Sequence, residues 1–170
     1  MFNLLTSGGD GACWAFLKPN TPPVLRYYKF RELKPNDIRI QVEWAGLCHS
    51  DVHCANSEWG DSSYPIVPGH EILGRICALG SNIKQYNLGD RVGFGPFEYF
   101  CGDCETCMTG DHNLCPLRRS CYDPNFGGYN THYQGEAKCC FRWPEKLWVK
   151  EAAPLLCAGA TLFSAIANHC

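Results

Sequence analysis

"DIRIQVEWAGLCHSDVH", residues 37–53, joins a pattern typical of a β-strand to a cysteine, two histidines, a serine and an aspartate. Apolar and polar residues alternate in its first half, which indicates a strand with one buried face. The apolar face consists of Ile38, Ile40, Val42 and Trp44, and the polar face of Arg39, Gln41 and Glu43. Beyond Gly46 the stretch continues into Cys48, His49, Ser50, Asp51 and His53. The stretch predicts a strand that leads into a group of polar and ionisable side chains.

The segments that follow continue the pattern of short strands separated by turns. In "YPIVPGHEILGRICALG" (64–80), prolines and a glycine form a turn that delivers His70 and Glu71 ahead of a second apolar run. "NLGDRVGFG" (87–95) indicates a turn and a strand, and "GGYNTHYQGEAKCCFRWPEKL" (127–147) indicates strands broken by turns. Residues 150–170 are rich in Ala and Leu at helical spacing. The sequence therefore predicts many short strands followed by one helix.

Four cysteines lie within fifteen positions in "CGDCETCMTGDHNLC", residues 101–115. Four thiolates at such close spacing can surround one ion and describe a closed structural zinc site. The thiolates are Cys101, Cys104, Cys107 and Cys115. An iron–sulfur cluster also takes four thiolates, and unpaired surface cysteines are the remaining alternative. We favour structural zinc, which says nothing about function.

Length and charge exclude several classes of protein. A chain of 170 residues suits one domain, or one domain and part of a second. A net charge of −2 disfavours nucleic acid and anionic membranes as partners. The N-terminus lacks the pattern of a signal peptide, and no apolar stretch is long enough to span a bilayer. Thirteen cysteines, an odd number, without an export signal predict reduced thiols and a cytoplasmic protein.

Four motifs in register resemble the zinc-dependent medium-chain alcohol dehydrogenases. The motifs are "GLCHSDVH" (46–53), "YPIVPGHE" (64–71), "CGDCETCMTGDHNLC" (101–115) and "APLLCAGAT" (153–161). "GLCHSDVH", "EWG" and "LLCAGAT" are most similar to the cinnamyl-alcohol-dehydrogenase branch, whose members mostly use NADP and act on primary alcohols and aldehydes. The resemblance runs from about Phe16 to the last residue.

The resemblance implies a mainly β (α+β) fold, a GroES-like, partly open β-barrel with a structural zinc lobe at about 98–118 and a C-terminal helix. It implies a catalytic domain over 1–153 and, over 154–170, a helix that would lead into a cofactor-binding domain. The chain contains no G-x-G-x-x-G fingerprint, so we expect the Rossmann half to be absent from this sequence. We therefore expect an incomplete chain that does not turn over alcohol alone.

The resemblance also implies the roles of individual residues. The catalytic zinc ligands would be Cys48, His70 and Cys157, with Glu71 able to take the fourth position when substrate is absent. Asp51 would hold His70 by its other ring nitrogen. Ser50 and His53 would relay the proton of the alcohol to water. Contacts to the cofactor and the substrate would come from His49, beside the pyrophosphate, Thr161, beside the nicotinamide, and Trp59, in the substrate pocket.

The resemblance further implies two zinc ions per chain and NADP or NAD in the full-length enzyme. Its partners would be a small-molecule alcohol or aldehyde and, in full-length form, a second copy of the chain. Two departures stand out: the loop from Cys115 to Gly127 is shorter than in relatives, and Ala160 replaces a larger branched residue.

Several residues have simpler interpretations. Ser50 could be a helix N-cap and Trp59 a core residue. Three histidines are interpreted as ordinary core or surface residues: His112, His132 and His169. Five cysteines are interpreted as buried apolar side chains: Cys54, Cys77, Cys121, Cys139 and Cys140.

Three hypotheses about the function remain at this point. The first is the catalytic domain of a zinc-dependent alcohol dehydrogenase. The second is a non-catalytic, zinc-binding GroES-like module that associates with a partner through its apolar terminal helix. The apolar residues of that helix are Leu155, Leu156, Leu162, Phe163 and Ile166. The third is a zinc-ribbon nucleic-acid binder that uses residues 101–115 alone.

Overall fold

The computed structural model describes residues 4–122, 126–147 and 149–169. Within them the strands are β1 (Gly11–Ala15), β2 (Val24–Tyr28), β3 (Asp37–Ala45), β4 (Ile72–Leu79), β5 (Arg91–Phe94), β6 (Phe97–Tyr99), β7 (Arg119–Ser120), β8 (His132–Glu136) and β9 (Cys140–Arg142). The α-helices are α1 (His49–Asn56), α2 (Glu105–Met108), α3 (Val149–Ala152) and α4 (Ala158–His169). Short 3-10 turns lie at His112–Leu114, Ala137–Cys139 and Ala153–Leu156. The prediction of a mainly β fold is confirmed.

An antiparallel sheet of five strands in the order β8-β3-β4-β5-β9 carries the main core. β1 pairs with β2, and β6 with β7, in two smaller ladders. One face of the sheet buries an apolar cluster in which each aliphatic or aromatic side chain contributes about 1.5–3 kcal/mol on transfer from water. The largest members are Ile38, Ile40, Ile72, Val92, Phe94 and Tyr133. The apolar alternation of β3 is thus the structural base of the domain.

The predicted alternation fails at the end of β3. Ile38 and Ile40 are fully buried, but Trp44 is 47% exposed. The register between β3 and β4 shifts between Val42 and Trp44, so one extra residue is inserted there. A bulge of this kind turns the following side chain away from the face that alternation assigns to it. The assignment of Trp44 to the buried face was therefore wrong.

The C-terminal stretch is less regular than the single helix that the sequence predicts. Pro154 interrupts it, and a 3-10 turn separates α3 from α4. Leu156 points inward against Leu73, whereas the other apolar residues of the set are exposed: Leu155, Leu162, Phe163 and Ile166. None of the helices in the described part of the chain combines the length and the apolar character needed to cross a bilayer.

The cysteines outside the clustered motifs are mostly buried, as predicted. Burial raises the pKa of their thiols, to about 11 for Cys54 and about 12 for Cys139 and Cys140. Cys121 is fully buried as well. The prediction is wrong for Cys77, which is exposed on β4, because its position falls on the outer face of the sheet.

Candidate metal centres

Helix α1 begins immediately after the central strand and brings Asp51 back toward the helix start. Cys48 is the N-cap, with extended backbone angles of φ −104° and ψ 155°. The carboxylate of Asp51 accepts the Cys48 backbone N–H at 3.0 Å, which satisfies a donor that the helix leaves free. Ser50 lies inside the first turn, so its interpretation as an N-cap was wrong. The sequence did not predict this helix.

The turn that precedes β4 brings His70 to the same carboxylate. Gly69 has φ +104°, a conformation that favours glycine, and its N–H donates to Asp51 Oδ1 at 2.8 Å. His70 Nδ1 lies 3.0 Å from the same oxygen, and both side chains are buried. This contact directs the proton of the imidazole toward Asp51 and leaves Nε2 as a ligand atom.

Four potential ligands converge in what we call the mixed cluster: Cys48, His70, Glu71 and Cys157. Their ligand atoms all lie within 4.8 Å of one another. Glu71 is 2% exposed, and its Oε2 has no hydrogen-bond partner among the described residues. A buried carboxylate oxygen without a partner is costly unless a cation compensates it. Two sulfurs, one imidazole and one carboxylate are ligands that zinc accepts, so these residues fit that ion.

Electrostatics in the mixed cluster also favour a cation. Burial opposes ionisation of Asp51, but hydrogen bonds from His70 and Cys48 outweigh it and lower the pKa of the carboxyl. Burial works against the imidazolium of His70, yet the hydrogen bond and the charge of Asp51 raise its pKa overall. Burial raises the pKa of Glu71 above its usual value. Burial and the neighbouring Cys48 raise the pKa of Cys157 to about 11. Without a cation, Glu71 and Cys157 therefore resist ionising beside the negative charge of Asp51.

The four cysteines of residues 101–115 form a second group, the four-cysteine cluster, with all sulfurs within 4.8 Å of one another. The Sγ atom of Cys101 lies 3.8 Å from that of Cys107 and 3.6 Å from that of Cys115. A tetrahedron with Zn–S bonds of about 2.3 Å has edges of about 3.8 Å, so these separations fit zinc. The backbone N–H of Cys104 also points to the Cys101 sulfur at 3.4 Å. The cluster fits a closed, four-sulfur site.

Several side chains of α1 and of the turn that follows it lie near the mixed cluster or near one another. Ser50 Oγ lies 3.7 Å from the sulfur of Cys48. The ring of His53 lies 4.6 Å from that of His49 and 5.1 Å from that of Trp59, measured between centroids. Trp59 is 55% exposed, so it is not a core residue. His53 Nδ1 also contacts the carboxylate of Glu58, which the sequence analysis missed, because nothing in the motif marks a residue five positions after the histidine.

A cleft of about 620 Å³ opens between α4 and the four-cysteine segment. Cys157 and Thr161 line it together with the aromatic side chains of Phe97, Phe100 and Phe141. His112 stacks on Phe100 and His132 packs against Phe30, consistent with ordinary structural roles. The side chain of His169 lies outside the described residues.

The fold and the two clusters define a class of protein: a mainly β domain with one all-cysteine and one mixed group of metal-ligand side chains. Residues 34–145 match the family model described as the alcohol dehydrogenase GroES-like domain. The match covers more than half of the chain, and the chain belongs to this family. It also extends far beyond residues 101–115, which argues against a nucleic-acid-binding zinc ribbon.

Known proteins of the family cover most of this chain. It is 39% identical to a mannitol dehydrogenase of Petroselinum crispum over 86% of this chain and 46% of that protein. It is 39% identical to cinnamyl alcohol dehydrogenase 8 of Arabidopsis thaliana over 82% of this chain and 41% of that protein. The chain thus spans less than half the length of the curated relatives that it matches.

Solved structures show the same partial coverage. A cinnamyl alcohol dehydrogenase of Sorghum bicolor superposes with a TM-score of 0.88 and 34% identity, over 94% of this chain and 48% of that one. The cinnamyl alcohol dehydrogenase of Helicobacter pylori, solved with NADP(H), gives a TM-score of 0.88 at 29% identity, over 98% and 49% of the two chains. These likenesses confirm the predicted GroES-like fold and the predicted resemblance to the cinnamyl-alcohol-dehydrogenase branch.

Proposed function

We propose that this chain is the catalytic half of a zinc-dependent oxidoreductase that interconverts primary alcohols and aldehydes with a nicotinamide cofactor. The observation that carries the proposal is the mixed cluster, in which a buried carboxylate oxygen without a partner faces two sulfurs and an imidazole. The membership of the family supports the reaction class.

In this proposal Cys48, His70 and Cys157 would hold one zinc ion, and Glu71 could supply a further ligand in the absence of substrate. When bound, zinc acts as a Lewis acid that makes the hydroxyl of an alcohol easier to deprotonate. Asp51 keeps the His70 proton on Nδ1 and thereby keeps Nε2 free. The four cysteines of the other cluster hold a second, structural zinc ion.

The residues of α1 then move the proton of the alcohol away from the site. Ser50, next to the Cys48 sulfur, accepts this proton, and His53 carries it toward solvent. The contact between His53 Nδ1 and Glu58 supports this role, since the carboxylate fixes the orientation of the imidazole ring. We assign Glu58 to the outer end of the relay.

The cleft beside Cys157 supports a small-molecule substrate, because aromatic walls next to a metal site suit an apolar primary alcohol. His49 and Thr161 are both exposed and free to meet a cofactor held by a further domain. The NADP(H) in the Helicobacter pylori relative supports NADP over NAD. The proposal also includes Trp59 as a pocket residue, a homodimeric full-length protein and a location in the cytoplasm. Trp59 lies against His53 and is not among the residues that line the cleft beside Cys157.

A chimera tests this function directly. Residues 1–170 replace the matching half of the Helicobacter pylori relative, and the purified product is assayed with NADP⁺ and a panel of primary alcohols. We expect turnover in the chimera, its loss in Cys48→Ser, and its retention in Cys54→Ser, where a buried cysteine of the same helix lies outside the cluster. A chimera that binds zinc and NADP(H) but oxidises none of the alcohols would overturn the proposal.

A second candidate function has its own support. Leu162, Phe163 and Ile166 are 63–73% exposed on α4, so the helix presents a contiguous apolar face. Such a face is typical of a protein interface. The alternative is a zinc-binding, non-catalytic module that associates with a partner through α4. The double variant Leu162→Ser/Phe163→Ser should then abolish association and the binding of an apolar dye, and a wild-type chain that is monomeric and binds no dye would contradict it.

A further inference from the structure

Asp51 is the centre of a buried hydrogen-bond network that includes more than the histidine. Its side chain is 2% exposed and accepts five hydrogen bonds. The backbone N–H groups of Cys48 and Gly69 supply two of them, at 3.0 and 2.8 Å, and His70 Nδ1 supplies a third at 3.0 Å. These three donors come from the two segments that carry the ligands Cys48, His70 and Glu71.

The other two donors come from a distant part of the chain. Tyr122 Oη donates to Asp51 Oδ1 at 2.8 Å, and Tyr129 Oη donates to Asp51 Oδ2 at 2.9 Å. Both tyrosines follow the four-cysteine segment: Tyr122 lies within the loop from Cys115 to Gly127, and Tyr129 lies two residues beyond it. Each oxygen of the carboxylate therefore carries one tyrosine hydroxyl, so neither oxygen can rotate away from its backbone donor without breaking a second bond.

Tyr122 also touches the ligand histidine itself. Its hydroxyl contacts His70 Nδ1, and its ring meets the imidazole edge-on with centroids 5.6 Å apart and planes at 80°. One arrangement of protons satisfies all three groups. The Tyr122 hydroxyl donates to Asp51, and the Nδ1–H of His70 points between Asp51 Oδ1 and Tyr122 Oη. His70 Nε2 is then left without a proton and free for a metal.

We propose that Tyr122 and Tyr129 are positioning residues for the mixed cluster, which fix the Asp51 carboxylate and, through it, the tautomer and orientation of His70. The inference rests on metal binding by the mixed cluster, as proposed above. Hydrogen-bond partners of metal-binding histidines typically affect metal affinity about 10–100-fold. We expect about 10-fold for Tyr122→Phe, which loses contacts to both Asp51 and His70. Tyr129→Phe should lose less, since the Tyr129 hydroxyl contacts Asp51 and the Gly46 carbonyl oxygen, whereas Tyr122 contacts His70 directly.

The test uses Co²⁺ in the full 170-residue chain, because its visible spectrum distinguishes a four-sulfur site from a site with two sulfurs and an imidazole. The affinity of each site is measured by competition with a chelator in wild type, Tyr122→Phe and Tyr129→Phe. Tyr28→Phe is the matched control, since its buried hydroxyl bonds to Asn130 and the His132 carbonyl but not to Asp51. The four-cysteine cluster is an internal control in every variant.

We expect weaker Co²⁺ binding and an altered spectrum at the mixed cluster of both variants, with the four-cysteine site unchanged. Tyr28→Phe should lower the melting temperature to a similar extent without affecting either site. Unchanged affinity at the mixed cluster in both variants, or an equal loss in Tyr28→Phe, would overturn the inference. A wild-type chain whose mixed cluster binds no Co²⁺ would instead overturn the proposed function.

Discussion

Replacing Gly46 by alanine tests whether the buried position of Glu71 is as tightly determined as the structure indicates. A Cβ added to Gly46 would lie 1.8 Å from Glu71 Oε2, 2.9 Å from its Cδ and 3.0 Å from its Cβ. An ordinary carbon–oxygen contact is about 3.3 Å, so the carboxylate must move by about 1.5 Å. The backbone at Gly46 has no positive φ, so the expected cost is steric and not conformational.

The expected loss in the free energy of unfolding follows from the burial of Glu71. Because the side chain is 2% exposed, it cannot swing into solvent without displacing its neighbours. Overpacking of this kind costs about 1–3 kcal/mol in the free energy of unfolding. For a chain of this size that corresponds to a decrease in melting temperature of about 2–12 °C. The displaced carboxylate should also weaken metal binding at the mixed cluster, with the four-cysteine cluster unaffected.

Thermal unfolding and site-resolved metal titration provide the assay. Gly95→Ala is the control, since its added Cβ would meet only the Leu156 carbonyl oxygen, at 3.3 Å, among the described residues. The double variant Gly46→Ala/Glu71→Ala removes the clash and should recover about 1 kcal/mol or more relative to the sum of the two single changes. Strict additivity of the two changes would refute the steric explanation.

Three further outcomes are expected. Cys104→Ser should remove the metal of the four-cysteine cluster and lower the melting temperature, while the mixed cluster keeps its metal ion. Equal loss of both metal ions, measured by elemental analysis, would contradict two independent sites. Burial raises the pKa of Glu71 in the folded, metal-free protein above its ordinary value of 4.5. As the pH rises, the unfolded state therefore loses this proton before the folded state does. The free energy of unfolding declines from about pH 4.5 up to the raised pKa. Glu71→Gln should abolish that decline in urea unfolding curves, and an unchanged pH dependence would show that Glu71 is not buried as described. In the chimera, His53→Ala should slow turnover and shift its pH dependence with zinc content unchanged, whereas an unaltered pH profile would remove His53 from the relay.

The sequence pattern within short segments was sufficient to predict features formed by residues that lie close together in the chain. The alternation of Ile38 and Ile40 correctly predicts the central strand, and the short spacing from Cys101 to Cys115 correctly predicts that the four sulfurs meet. The convergence of Cys48, His70 and Cys157, which are far apart in the chain, followed from the resemblance and not from any local pattern. Their roles as zinc ligands stay predictions.

The errors arise where tertiary contacts override local preference. The bulge before Trp44 depends on the register with β4, which alternation within one strand does not determine. Helix α1 is short and contains two histidines and a serine, so its sequence has little helical character; its start is stabilised by Asp51 and its packing. Tyr122 and Tyr129 carry no sequence signal, because a tyrosine that binds Asp51 is indistinguishable from one that fills a core. Their function depends on a contact across more than seventy residues.

The metal content of the purified 170-residue chain, measured by elemental analysis combined with native mass spectrometry, shows whether both clusters hold zinc. We expect two zinc ions per chain, and loss of one of them in Cys157→Ser with the other retained. A single zinc ion that persists in Cys157→Ser would contradict a metal site at the mixed cluster. Iron in place of zinc at the four-cysteine cluster would contradict the structural zinc site.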